Sequence, residues 1–248
     1  MKYFYFLILF LASSLNAQET VLNMITDLSL VETRKQGNYK NWEAGFRSFY
    51  VTKNEYNQIE IKEPPLKHVS KYPPHMSCGD IHYHGTDKGE WIGELTAEDE
   101  NGNQRTVVKG NVYHLVNWEG TLYIFIGVQH MRYAGAVYKL SACDTMSAKV
   151  ELVTLLPDAP IDLLMEPRPS FAGFYIFGNE MILYLAPEFS ISVEVYNPWK
   201  GIRPTSVVGI SDYQFLVGLV SGIAIVDLQK PRGQEVRVFV PKDNAHIN

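Results

Sequence analysis

From Trp42 onward the chain is punctuated at short intervals. Runs of about five to eight residues rich in Val, Ile, Leu, Tyr and Phe alternate with clusters of Gly, Pro, Asn and Asp. Such runs are the length of strands and too short for ordinary helices. Candidate strands fall at 46–51, 57–62, 91–96, 112–117, 121–128, 135–140 and 149–155. Others fall at 172–177, 181–186, 191–196, 206–210, 214–219, 222–227 and 235–240. The 15 tyrosines, 12 phenylalanines and 4 tryptophans are the aromatic stock that strands favour. Glu98 to Asn103 reads as a hairpin turn. No alternation with helical segments of about 10–15 residues is present, which argues against a doubly wound α/β fold. The one helical candidate is 18–36, where Val21, Leu22, Ile25, Leu28 and Leu30 are spaced loosely for one apolar stripe, with a strand or an irregular lead-in as the alternative.

Within this β-rich region a pattern echoes itself. Val116 to Phe125 ends one strand, turns through a polar pair and begins another, closing at Ala136 to Leu140. The same order recurs from Tyr175 to Tyr184, closing at Val193 to Asn197. It recurs again from Val208 to Val217, closing at Ile223 to Asp227. Measured between Val137, Val195 and Ile225, the first interval between closing strands is nearly twice the second. A regular solenoid does not vary so much, whereas loops within and between propeller blades lengthen independently. Residues 111–240 therefore resemble degenerate β-propeller blades, without the Trp-Asp dipeptide of sharper repeats. The resemblance implies an all-β, propeller-like fold of four to five blades. A β-sandwich or an irregular mixed-β domain is the alternative.

The N-terminal segment, 1–17, differs in kind. Met1-Lys2 precedes the apolar run Tyr3 to Ala12, and Ser13 to Ala17 gives a small-residue exit. That is the layout of a secretory signal peptide, too short to span about 30 Å of hydrocarbon comfortably. The expected organisation is a signal peptide over 1–17 and one β-rich domain over 18–248, exported to the periplasm or secreted. No later stretch holds 18 uninterrupted apolar residues, so no membrane span is expected after cleavage. The net charge of -5, without any Lys/Arg-rich run, argues against nucleic acid as a partner. Export also changes the reading of the two cysteines. Cys78 and Cys143 make one disulfide possible, and it would close a long loop. Free thiols, or Cys78 in a metal site, are the alternatives.

The densest polar cluster is His75, Cys78, Asp80, His82 and His84, with His68 and Asp87 nearby. If 80–84 is extended, Asp80, His82 and His84 share one face, and with His75 or Cys78 could hold zinc or another divalent cation. The spacing matches no strong metal motif, so the expectation is no cofactor, with Zn as the alternative. Catalysis finds little support: there is no Gly-x-Ser-x-Gly elbow. Single acids near turns (Asp80, Glu94, Glu119, Asp162, Glu166, Glu180 and Asp212) would have to converge as carboxylates do in propeller glycosidases. Gly218 to Gly222 lacks the lysine of a phosphate loop. Aromatic and Arg side chains in loops instead suggest recognition, with His130, Arg132 and Tyr133 first and Trp118 beside them. The expectation is a non-enzymatic module that presents a rigid β surface to a protein partner, an immunity protein against a delivered toxin being one form. The alternative is a divalent-metal hydrolase using the His75–His84 cluster.

Overall fold

The structure is a computed structural model describing residues 19–33, 48–63, 74–89, 93–118, 120–129, 133–165, 173–199 and 201–242. The expected signal peptide, His68, His130 and Arg132 lie outside the described residues. A helix α1 (residues 19–27) is followed by β1 (Leu30–Thr33), β2 (Tyr50–Lys53) and β3 (Ile59–Lys62). Four groups of four strands follow. The first is β4 (His75–Cys78), β5 (Ile81–Gly85), β6 (Glu94–Glu98) and β7 (Gln104–Lys109). The second is β8 (Asn111–Trp118), β9 (Thr121–Val128), β10 (Ala134–Ser141) and β11 (Lys149–Leu156). The third is β12 (Asp162–Met165), β13 (Phe174–Phe177), β14 (Met181–Leu185) and β15 (Ile191–Tyr196). The fourth is β16 (Pro204–Ser211), β17 (Gln214–Leu219), β18 (Gly222–Asp227) and β19 (Val236–Pro241).

In every group, strands adjacent in sequence are adjacent in the sheet, and the pairs are antiparallel. This up-and-down four-stranded sheet is the blade unit of a propeller, and the fold is all-β and propeller-like. The third strands of the four groups begin at Glu94, Ala134, Met181 and Gly222, which are nearly evenly spaced along the chain. The sequence echo was out of phase, since Val193 to Asn197 belongs to a fourth strand, β15, whereas its counterparts lie in third strands. That slip alone produced the uneven intervals.

The chain groups into two compact units, one drawn from Met1–His68 and Asn197–Asn248, the other from Val69–Tyr196. In the second unit the middle sheet has a core on each face, which explains why β9 is apolar from Leu122 to Val128. Leu122 and Ile124 enter a core with Tyr83, Leu95 and Ala97 of the first sheet. Tyr123 and Phe125 point the other way, into a core with Phe174, Ile176 and Leu183 of the third. Within this unit the sheets therefore stack in chain order and are not the two facing sheets of a sandwich. Cys78 and Cys143 form a disulfide with Cα atoms 5.7 Å apart, and the Tyr83 hydroxyl donates to the Cys143 carbonyl at 2.7 Å.

The first unit joins the chain's two ends. Val21 and Ile25, four apart on α1, are buried against Leu216, Ile223 and Phe239. The helix does not continue as its apolar spacing suggested. Ser29 adopts a left-handed φ of 56°, and Leu30 opens β1, which pairs with the final strand β19. Phe49 and Val51 enter the same core: the Phe49 amide donates to the Leu219 carbonyl, and the Val51 amide donates to the Ser206 hydroxyl at 2.8 Å.

Candidate functional site

The sequence grouped Trp118 with the loop before β10. The structure separates them. Trp118 ends β8 opposite Thr121, whereas Tyr133 precedes Ala134, which pairs with Val128 at the far end of β9. Those ends are seven residue steps apart along the strand, about 23 Å. Trp118 instead packs edge-on against Phe174 at 5.4 Å and lies 5.7 Å from Tyr123, so it seals the core between the second and third sheets. Trp199 is wholly buried. Tyr133 remains exposed in its loop.

Tyr133 has company that sequence reasoning missed. β11 is the outer strand of its sheet, bonded only to β10. Its register slips between Val137 and Tyr138: Leu152 faces Tyr138, Thr154 faces Val137, and Val153 is the extra residue. A bulge of this kind reverses the alternation beyond it. Leu156 consequently turns into the core with Phe125 and Phe174, while Leu155, opposite Ala136, turns out. Leu155 is left 68% exposed and Leu152 54% exposed. Val128 lies on the same face, since it and Ala136 occupy alternate positions of the paired strands. The end and outer edge of the second sheet thus present Val128, Tyr133, Leu152 and Leu155, four of the nine exposed large hydrophobics among the described residues. Apolar side chains grouped in this way mark interaction surfaces more than isolated ones do.

The histidine cluster is rearranged. Cys78 pairs with Ile81, so Gly79 and Asp80 form a two-residue hairpin turn in which Gly79 has φ 58°. Asp80 is therefore in the turn and not on the strand face with His82 and His84, and Cys78 is committed to its disulfide. His75 lies opposite His84, and Ser77 opposite His82, all four exposed. The Ser77 hydroxyl meets His82 Nδ1 at 2.8 Å. Among the described residues, no three or more His, Cys, Asp or Glu side chains gather closely enough to hold a metal ion.

Asp162 approaches His114 Nε2 at 3.6 Å between β12 and β8, and Glu94 accepts from Thr106. Glu119 and Glu166 lie outside the described residues. The acid in the most unusual environment is Asp158, which the sequence did not single out. It is fully buried, and its carboxylate accepts from the amides of Ala159 at 2.7 Å, Glu180 at 2.6 Å and Met181 at 2.9 Å. Burial pushes its carboxyl above the ordinary range, and these backbone donors oppose that push. Its role is to pin the turn between β13 and β14 to the segment leaving β11. Gly218 and Gly222 flank the turn between β17 and β18, packed against the carbonyls of Phe49 and Phe239, which leaves no phosphate cradle there.

No family model matches this chain, and no curated protein matches it. Among solved structures it is similar to a mutant of the GH43 protein BlXynB from Bacillus licheniformis. The identity is 11% and the TM-score 0.37, over 74% of this chain and 40% of that one. The chain thus spans less than half the length of that protein, and a likeness at this level says nothing about activity. Among the described residues, no helix is long and apolar enough to cross a membrane.

Proposed function

We propose that this is an exported binding protein, acting in the periplasm or outside the cell, that docks a protein partner on the outer edge of its second sheet. The observation that carries the reading is the exposed apolar strip of Val128, Tyr133, Leu152 and Leu155. It lies on a sheet whose inner strands enter cores on both faces, so the strip is held by a stiff scaffold. Tyrosine and aliphatic side chains on a rigid support gain contact area at small entropic cost. An immunity protein that blocks a delivered toxin is one module of this type. The hydrolase alternative loses two of its supposed ligands, Asp80 to a turn and Cys78 to a disulfide.

The test is a titration of the purified partner, identified first by cross-linking in the protein's own compartment, against Tyr133→Ala and the double variant Leu152→Lys, Leu155→Lys. Each is expected to weaken binding tenfold or more, about 1.4 kcal/mol, with thermal melts unchanged because all three side chains face solvent. Unchanged affinity in both variants rejects the strip as the docking surface.

A further inference from the structure

The outer face of the first sheet carries a feature that the docking reading does not use. Along β5, Ile81, Tyr83 and Gly85 are buried, and His82 and His84 face out between them. The β4–β5 register sets His75 directly across from His84. Residues directly opposite in an antiparallel pair have Cβ atoms about 4.5–5.5 Å apart. Two imidazoles on such a pair can reach a single ion at the usual metal–nitrogen distance of about 2.0–2.1 Å. His82 is placed differently. It is one alternate position further along, its Nδ1 is engaged by Ser77, and it lies opposite Glu98 on the other side.

The location gives the pair a task. β4 is a four-residue edge strand, bonded to β5 alone. Its Cys78 end is fixed by the hairpin turn and by the disulfide to Cys143. His75 and His84 close the opposite, open end of the same hairpin. We propose that His75 and His84 form a two-imidazole site for a divalent transition-metal ion of the Zn²⁺ or Ni²⁺ class, water completing the coordination, and that the bound ion clips the open end of β4. Neutral imidazole is a common ligand for these ions, and an ion bound only by the folded hairpin stabilises it by mass action.

The experiment is calorimetric titration of Zn²⁺, and separately Ni²⁺, into tag-free protein with its disulfide intact, with melts in metal-free and metal-containing buffer. Wild type is expected to bind one ion per chain and to melt higher with metal. His75→Ala and His84→Ala should each weaken binding at least tenfold, while His82→Ala should stay within twofold of wild type. His75→Gln and His84→Gln keep a polar side chain of similar bulk and are read beside them, so a folding defect in an alanine variant cannot mimic the result. The inference is overturned by three outcomes: no saturable one-to-one binding, binding indifferent to His75 and His84, or binding lost equally in His82→Ala. None of these bears on the apolar strip, so the two proposals fail separately.

Discussion

Removing the Cys78–Cys143 cross-link by the double substitution Cys78→Ser, Cys143→Ser should cost the unit containing residues 69–196 several kcal/mol. The bond spans a sequence separation of 65, between β4 of the first sheet and the turn after β10 of the second. The chain-entropy relation gives about 4 kcal/mol for a loop of that length, and measured values commonly fall at about 2–4 kcal/mol. The Tyr83 hydroxyl bond to the Cys143 carbonyl survives the substitution, so it drops out of the difference and the middle of that range is expected. A loss of about 3 kcal/mol corresponds to a drop in Tm of about 6–12 °C for a chain of this size. The assay is urea and thermal unfolding of wild type, wild type with reductant, and the double serine variant. Using both serines leaves no free thiol to mispair. The last two samples should coincide, both below oxidised wild type. A difference no larger than an ordinary surface substitution produces, about 0.5 kcal/mol, or wild type indifferent to reductant, refutes the reasoning.

Three further outcomes follow from the packing. Gly178→Ala should destabilise by about 2 kcal/mol or more, because the new Cβ would collide with the Asp158 carboxylate; chemical denaturation measures it. Asp158→Ala should cost about 3 kcal/mol by orphaning the amides of Ala159, Glu180 and Met181. The folded-state value of Asp158 is raised, so the folded chain keeps this proton to higher pH than the unfolded chain. Its linked contribution is therefore present below the ordinary value of 3.8 and lost as pH rises through the raised one, and the gap between wild type and Asp158→Ala should narrow over that window. Ile25→Ala should lower stability by about 2–4 kcal/mol in the unit joining the chain ends, since this side chain is only 3% exposed between α1 and the fourth sheet; amide exchange in β19 should rise with it.

Much of the strand pattern was legible because buried strands announce themselves. β9, β17 and β18 are largely apolar runs between turn residues, and they lie within a residue or so of where the sequence put them. The strands that escaped notice, β1, β4, β7 and β12, are short or carry polar side chains on an open face, as His-Met-Ser-Cys does. The Gly79-Asp80 pair was a readable two-residue turn signal, and taking 80–84 as one extended run misplaced Asp80. The exposed strip was not legible. Strict alternation along Lys149 to Leu156 sends Leu152, Thr154 and Leu156 to one face, and only the pairing with β10 reveals the bulge that breaks it. Asp158 was equally silent, because two of its amide donors, Glu180 and Met181, come from a later blade. His130 and Arg132 of the expected recognition loop lie outside the described residues, so Tyr133 alone links that reading to the surface found here.

The proposed docking surface is tested most directly by a photo-cross-linking amino acid placed at Leu155 in the protein within its own compartment. Glu100, in the exposed turn after β6, serves as the control position. One dominant adduct with a different protein is predicted from position 155, absent from position 100 and abolished by Leu152→Lys. Adducts equal at the two positions, or an adduct only with a second copy of this chain, would contradict the account.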